Sequence, residues 1–182
     1  MGLSPTLWRT CRVLSGPTRV SLFRRIIQSP GQYVSQLAKA ENISIPRASQ
    51  ELRRLQSRGL VGVERSGRHV RYFPQSDPLV SSAKPILRAM RETCARNPAS
   101  RDGQIARLAH GLSHEKRIAV VRALRSGPQR FDGLQAELGV SRQTLRHHLK
   151  FLEAGGWVER DEKSWRLAPG DAPLAKCLLK ML

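Results

Sequence analysis

Two segments of the chain carry side chains that hydrogen-bond to base edges and to phosphate oxygens. Each begins with Ser and continues with Arg, Gln and further polar residues, interleaved with Leu. Arg suits guanine and Gln suits adenine, and both can bond phosphate, so this is the chemistry of nucleic-acid recognition. The candidate contact residues of the first segment are Ser44, Pro46, Arg47, Ser49, Gln50, Arg53 and Arg54. Those of the second segment are Ser141, Arg142, Gln143, Thr144, Arg146, His147 and Lys150.

The apolar residues between these side chains recur at helical spacing, which predicts two helices that each pack one face inward. In a helix-turn-helix the second helix lies in the major groove, so it needs an apolar face for packing and a polar face for reading bases. The shared polar register favours two DNA-reading helices over two solvated faces that are basic by chance. The predicted inward residues are Ala48, Leu52 and Leu55, and then Leu145, Leu149 and Leu152.

Both segments belong to an internal repeat. The stretch from Leu14 to Arg24 reappears 98 residues later as the stretch from Leu112 to Arg122. Ser44 matches Ser141 after one deletion, and two further deletions fall where a hairpin turn would lie. The chain is therefore interpreted as two copies of a unit of about 65 residues.

Each copy is predicted to contain helix, helix, helix, turn, helix and β-hairpin, in that order. The first copy has predicted helices over Leu7–Leu14, from Pro17 to before Ser29, Val34–Ala40 and Ser44–Arg58, and strands over Leu60–Arg65 and Arg68–Phe73. The second has predicted helices over Ile105–Leu112, Glu115–Arg125, Phe131–Leu138 and Ser141–Ala154, and strands over Trp157–Arg160 and Ser164–Leu167.

Two further amphipathic helices are predicted, over Leu79–Ala95 between the copies and over Leu174–Leu182 after the second copy. The fold class is therefore mainly α with small β-hairpins, an α+β protein. Residues 1–78 form the first predicted domain, 79–102 a helical linker, and 103–182 the second domain with its C-terminal helix. The pattern leaves open whether the two extra helices pack the copies together or join two chains in a homodimer.

The charge of the chain favours a polyanionic partner. It has 32 Lys plus Arg against 14 Asp plus Glu, a net charge of +18, and 25 of the cations are Arg. Residues 1–78 and 103–182 both carry an excess of positive charge, so a basic tail does not account for it. The sequence has no stretch of about 18 apolar residues that could span a bilayer, so no membrane partner is expected.

The strings SIPRASQELRRLQSRGLV and SRQTLRHHLKFLEAGGWV resemble the winged helix-turn-helix of the ArsR-type family of transcriptional regulators. The resemblance covers about two thirds of the chain. It implies a dimeric or pseudo-dimeric DNA-binding regulator whose hairpins, the wings, touch the minor groove or the DNA backbone. The candidate wing contacts are Arg65, Arg68, His69 and Arg71 in the first copy and Lys163 in the second.

The resemblance does not extend to metal sensing. ArsR-type metal sensors carry a cysteine pair before the recognition helix, or His and carboxylate ligands in a terminal helix, and neither set stands here. His147 and His148 are adjacent and so point about 100° apart on a helix, which is poor chelation geometry. Paired catalytic carboxylates, a nucleophile elbow and a Gly-rich phosphate loop are also missing from the sequence. We therefore expect no metal, no other cofactor and no enzymatic activity.

The sequence predicts a sequence-specific regulator that binds double-stranded DNA through two recognition helices and a basic wing. Two units in one chain could place these helices one duplex turn apart, about 34–36 Å. The second wing reads Asp161-Glu162-Lys163, so the first copy is expected to dominate affinity, while Arg146 and His147 add sequence choice. The alternatives are a tandem winged-helix scaffold or assembly factor that binds proteins, and a non-specific nucleoid or RNA-binding protein.

The three cysteines, Cys11, Cys94 and Cys177, are far apart and lack metal-type spacing, which fits a reducing cytosol. Together with the predicted DNA binding, this gives an expected location in the cytoplasm, in association with the nucleoid. Met1–Thr6 fits the loose myristoylation pattern, and the Arg-rich stretch before Glu41 resembles a transit peptide. The repeat argues against both interpretations, because residues 7–40 have a counterpart deep inside the chain.

Overall fold

The computed structural model describes residues 6–67 and 69–182. All but the last residue of the myristoylation pattern, and the predicted wing residue Arg68, lie outside the described residues. Within those residues, no helix is both long enough and apolar enough to cross a membrane.

Over its described residues, 7–67 and 69–73, unit one has four helices and three strands. Local chemistry sets their ends: Pro17 is the first residue of the second helix, the Ser44 hydroxyl accepts the Arg47 N–H at 3.4 Å, and Gly59 adopts the left-handed conformation with φ +66°. The elements are α1 (Leu7–Leu14), α2 (Pro17–Gln28), β1 (Gln32–Tyr33), α3 (Val34–Ala40), α4 (Ile45–Gln56), β2 (Gly62–Ser66) and β3 (His69–Phe73).

Unit two, residues 102–167, repeats this order. A helix lies between the units, α5 (Ala83–Arg96), and a last helix follows unit two. Single 3-10 turns precede α6 and follow α7, at Ala99–Arg101 and Leu124–Ser126. The predicted fold class, mainly helical α+β with small β-sheets, is confirmed. The elements of unit two are α6 (Asp102–Gly111), α7 (Glu115–Ala123), β4 (Gln129–Arg130), α8 (Phe131–Leu138), α9 (Arg142–Ala154), β5 (Val158–Asp161) and β6 (Ser164–Leu167), and the last helix is α10 (Pro173–Lys180).

The start of α5 differs from the sequence prediction because of a proline. The helix begins at Ala83, four residues after the predicted start at Leu79. Pro85 has no N–H and its ring clashes with the carbonyl four residues earlier, so it is tolerated only in the first turn of a helix. A helix that began at Leu79 would place Pro85 in its interior, and this excludes the earlier start.

Each hairpin is part of a three-stranded antiparallel sheet, which the sequence did not predict. The two-residue strand β1 pairs with β3, with Tyr33 opposite Arg71, and β4 pairs with β6, with Gln129 opposite Trp165. The strand orders are β1-β3-β2 and β4-β6-β5. Two residues are too few to show an alternating pattern, so only the pairing reveals these strands.

One apolar core runs through both units. All six residues predicted to face inward on the two candidate DNA-reading helices are buried, as expected. The largest fully buried side chain is Trp157, whose Nε1–H donates to the Leu108 carbonyl at 2.7 Å. The repeat places Leu60, also fully buried, at the equivalent position of unit one. One continuous core does not show a boundary between two domains, so the predicted domain boundaries at residues 78 and 102 remain a prediction.

The two units are joined in part by contacts between equivalent elements, and α2 also packs against α6. Helix α1 packs against α6, its repeat counterpart, and α5 packs against α10, the helix that follows the other hairpin. At the second contact the backbone N–H of Leu174 donates to Thr93 Oγ1 at 3.1 Å. Pairing of like with like is the signature of an approximate two-fold relation. The structure thus shows the two extra helices packed on each other within the chain.

A buried ion pair fixes three helices at the boundary between the units. Arg24 of α2 is 3% exposed and donates from Nε and Nη2 to Asp102 Oδ1, at 2.9 and 2.7 Å. Its Nη1 donates to the carbonyls of Cys94 and Asn97 at 2.9 and 2.8 Å, where the end of α5 leaves carbonyls without helical partners. Burial by itself lowers the pKa of Arg24, but hydrogen bonding to Asp102 and attraction by its carboxylate outweigh that effect and raise the pKa.

We expect Asp102→Ala to lower the free energy of unfolding by about 3–5 kcal/mol, because it leaves a buried guanidinium without its counter-charge. The matched control is Asp132→Ala, which breaks the pair with Arg142, also at 2.7 Å but with side chains 71% and 57% exposed. That control should cost less than about 1 kcal/mol. Urea denaturation measures both losses. Equal losses would show that burial does not increase the contribution of the Arg24–Asp102 ion pair to the free energy of unfolding.

Candidate nucleic-acid interface

The outward face of α4 is polar and accessible. Six of the seven residues predicted to contact nucleic acid here are exposed, and the seventh, Ser49, is half-buried. Arg54 donates to Glu51 at 3.1 Å, so it is the member of the set with an ion-pair partner on its own helix. Ile45, 54% exposed at the head of α4, is a surface residue that the sequence pattern missed. The six exposed residues are Ser44, Pro46, Arg47, Gln50, Arg53 and Arg54.

The outward face of α9 is equally accessible. Thr144 is the exception, because it is half-buried and its hydroxyl lies 2.8 Å from Ser141 Oγ. The Thr144 N–H also donates to that oxygen, at 3.1 Å, so these two residues form the N-terminal cap of the helix. The exposed predicted contacts are Ser141, Arg142, Gln143, Arg146, His147 and Lys150.

The first wing is organised around Tyr33 of β1. Arg71, opposite Tyr33 in the sheet, donates from Nε and Nη2 to the tyrosine hydroxyl at 3.0 and 2.7 Å, and its guanidinium lies 4.9 Å from the ring centroid. The His69 ring packs edge-on against the same tyrosine at 5.4 Å. His69, Arg71 and Arg65 are all exposed. Tyr33 therefore fixes the direction of two wing side chains, which the sequence alone did not indicate.

A basic cleft of about 310 Å³ lies between α9 and the hairpin of unit two. Phe131 at the head of α8 forms one wall, and the Arg142 guanidinium lies 5.0 Å from its ring centroid while bonding Asp132 at 2.7 Å. Phe131 is the repeat counterpart of Tyr33, so each unit uses the same position to hold an arginine. The sequence reasoning missed Phe131, Arg160 and Trp165, although the repeat could have identified Phe131. The lining residues are Phe131, Arg142, Arg146, Leu149, Lys150, Glu153, Arg160, Lys163 and Trp165.

The second wing carries less free positive charge than the first. Its turn consists of Asp161, Glu162 and Lys163, all exposed, and Glu162 has a φ of +36°. On the adjoining strands, Arg166 is paired with Glu159. Of the cations in this hairpin, Arg160 and Lys163 face the basic cleft. The wings therefore differ in charge, as the sequence indicated.

His110, His114 and His148 lie at the inner edge of α9, around the buried Arg117, and the exposed His147 stands next to His148. His114 and His148 have ring centroids 4.9 Å apart, and Arg117 lies 4.9 Å from the Phe151 ring centroid. Burial lowers the pKa of His148 to about 4, and repulsion by His114, Arg117, His147 and Lys116 adds to the shift. Burial likewise lowers the pKa values of His110 and His114. In the part of the chain that the structure describes, no three His, Cys, Asp or Glu side chains are arranged to hold a metal ion.

The fold and this surface define an α+β protein with two basic helical faces in equivalent positions. Residues 105–173 match the family model of the HVO_A0261 N-terminal domain. The match begins in α6 and ends at the first residue of α10, so it contains α9 and the second hairpin and leaves unit one outside it. No curated protein matches the chain.

The histidine group predicts a pH dependence of stability. His148 titrates near 4 in the folded chain and near 6.5 when unfolded, so the unfolded state binds more protons between these values. Stability should therefore fall as the pH is lowered from about 6.5 to 4, by at most about 1.4 kcal/mol per pH unit for this residue. His148→Phe should give a shallower dependence than the parent chain in denaturant unfolding at several pH values.

Gln143→Ala, on the same helix, is the matched control because it removes no titratable group. It should keep the slope of the parent chain. A slope in His148→Phe as steep as in the control would contradict the assignment of this dependence to His148.

Proposed function

We propose that the chain is a sequence-specific transcriptional regulator that binds double-stranded DNA, with two winged helix-turn-helix units acting as a pseudo-dimer. One observation carries the proposal. The exposed basic helices α4 and α9 occupy the same position in two units that pair through equivalent elements, α1 with α6 and α5 with α10. Two DNA-reading helices related by a two-fold axis suit a site with two half-sites of opposite orientation.

Each unit offers groups for reading bases and groups for holding the backbone. On α4, Arg47 and Gln50 are exposed and suit guanine and adenine, and the neighbouring Ile45 can contact a thymine methyl group. On α9, Gln143 and Arg146 have the same capacity. The wings supply phosphate contacts, which position the protein and carry no sequence information directly.

The exposed surface favours DNA over a protein-binding scaffold. A platform for proteins would display a continuous apolar patch. Among the described residues, the large apolar side chains that stand exposed are Ile45, at the head of α4, and Leu79, in the turn before α5. Because α5 and α10 pack on each other, the proposal takes one chain as the DNA-binding unit, in place of a homodimer joined by these helices. A cytoplasmic, nucleoid-associated location belongs to the same proposal.

Selection of bound duplexes from a random pool, at two salt concentrations, tests the function. We expect an enriched motif with two half-sites about ten base pairs apart. Arg146→Gln should relax one half-site and reduce affinity about tenfold or more, since a good bidentate base contact contributes about 1–3 kcal/mol of discrimination. Arg88→Gln is the control, because that side chain is 84% exposed on α5, outside the proposed interface.

Three results would oppose the proposal. Absence of duplex binding, or binding without an enriched motif, would contradict the proposal that the chain is a sequence-specific regulator. An enriched motif with a single half-site would remove the pseudo-dimer. An equal loss of affinity in Arg146→Gln and Arg88→Gln would contradict the proposal that α9 contacts the bases.

Charge reversal in the two wings tests their asymmetry. Arg65→Glu should weaken duplex binding about tenfold, because the first wing supplies several cations to the phosphate backbone. Lys163→Glu should weaken it less, about threefold, because Asp161 and Glu162 already reduce the positive potential there. Fluorescence anisotropy with one labelled duplex compares the two variants at the same salt concentration. Equal losses, or a greater loss for Lys163→Glu, would contradict the asymmetry.

A further inference from the structure

A second basic cleft lies on unit one, between α1, the start of α2 and the C-terminal end of α4. Its volume is about 540 Å³, within the range of small-molecule sites. Five arginines and one tryptophan line it, and we call it the arginine cleft. Its residues are Trp8, Arg9, Arg12, Val13, Arg19, Arg54, Ser57 and Arg58.

The positive charge of the arginine cleft exceeds its negative charge. Glu51 accepts hydrogen bonds from both Arg19 and Arg54, so one carboxylate serves two guanidinium groups. Among the residues that the structure describes, no carboxylate pairs with Arg9, Arg12 or Arg58. The Nε of Arg58 is buried and has no hydrogen-bond partner within the same set of residues. An unpaired buried donor is unfavourable, and neighbouring like charges repel one another.

Unit two shows that the fold does not require three of these cations, Arg12, Arg54 and Arg58, whereas Arg9 and Arg19 are matched there by Arg107 and Arg117. By the repeat, His110 stands for Arg12, Phe151 for Arg54 and Gly155 for Arg58. The rings of His110 and Phe151 pack edge to face there, with centroids 4.9 Å apart. The same helices are therefore built with aromatic and small residues at these positions. The extra arginines of unit one repel one another without a structural need for them, which points to an anionic ligand.

We propose that the arginine cleft binds the polyphosphate group of a small molecule. Guanidinium groups form paired, charge-assisted hydrogen bonds with phosphate oxygens. Arg12 from α1 and Arg58 from the turn after α4 reach the cleft from different elements, so a chain of phosphates can bond both. Arginines that converge on one site from α1, α2 and α4 favour a compact cluster of phosphates over the extended backbone of a duplex. This inference does not rest on the DNA-binding proposal.

Calorimetric titration of the full chain with ATP and with inorganic triphosphate, in the absence of DNA, tests the site. We expect both Arg12→Gln and Arg58→Gln to weaken binding at least tenfold. The matched control is Arg107→Gln, since Arg107 is exposed and is the counterpart of Arg9 in unit two. It should bind like the parent chain. Tighter binding of ATP than of triphosphate would identify a nucleotide, and equal binding would identify the phosphates as the whole recognised group.

A variant could be less stable than the parent chain, so thermal unfolding is used to compare the change in Tm that each probe causes in each variant. Each probe should raise the Tm of the parent chain and of Arg107→Gln, and raise it much less in the two cleft variants. Absence of binding by both probes would overturn the inference. Equal losses in Arg12→Gln, Arg58→Gln and Arg107→Gln would also overturn it, because the probes would then respond only to overall charge.

Discussion

Burial of the Arg24 guanidinium without its partners would destabilise the fold, because removing an unpaired charge from water is costly. The partners of Arg24, which is part of α2, come from two other helices. They are the carboxylate at the first residue of α6 and carbonyls at the end of α5. Asp102 also benefits from its place at a helix N-terminus, where negative charge is favoured. Once these helices are held, α1 can pack on α6 and α5 on α10, and the directions of α4 and α9 follow. The repeat counterpart Arg122 donates to the Leu182 carbonyl, beyond α10, in the same manner but at the surface.

The two units use the same positions for different purposes. Tyr33 in unit one holds two wing side chains, whereas its counterpart Phe131 holds Arg142 at the head of α9. Leu60 fills a core position that Trp157 occupies in unit two, where the indole also closes a hydrogen bond to Leu108. Arg19 is neutralised by Glu51, while its counterpart Arg117 is buried among histidines and its pKa is lowered by burial. Divergence has therefore concentrated on charge and aromatic residues, while the apolar positions that define the fold have kept their character.

The sequence alone predicted the helices well, because the apolar residues of both copies repeat at helical spacing and each copy supports the other. Ala48, Leu52 and Leu55 are buried, and Gln50, Arg53 and Arg54 between them are exposed, since one face of an amphipathic helix fixes the other. The ion pair of Arg24 with Asp102 had no local signal, because its partners are 78 residues apart. The strands β1 and β4 are too short to show an alternating pattern. The apolar residues predicted that α5 begins at Leu79, but Pro85 must lie in the first turn of the helix, so the helix begins at Ala83. In the candidate site, the exposed faces of α4 and α9 could be predicted from the sequence. The contacts of Tyr33 in β1 and Phe131 in α8 with arginine side chains depend on the tertiary fold and could not.

An interface between two repeat units of one chain differs from that of a homodimer in how it responds to mutation. In a homodimer every substitution appears twice and acts on both sides of the axis, so a change at α1 would be met by the same change in its partner. Here α1 meets α6, which has its own sequence, and each side can change alone. The association also has no dissociation equilibrium, so the paired arrangement persists at any dilution. The duplication has therefore made the pairing of the two halves independent of protein concentration, and has left the halves free to acquire separate ligands.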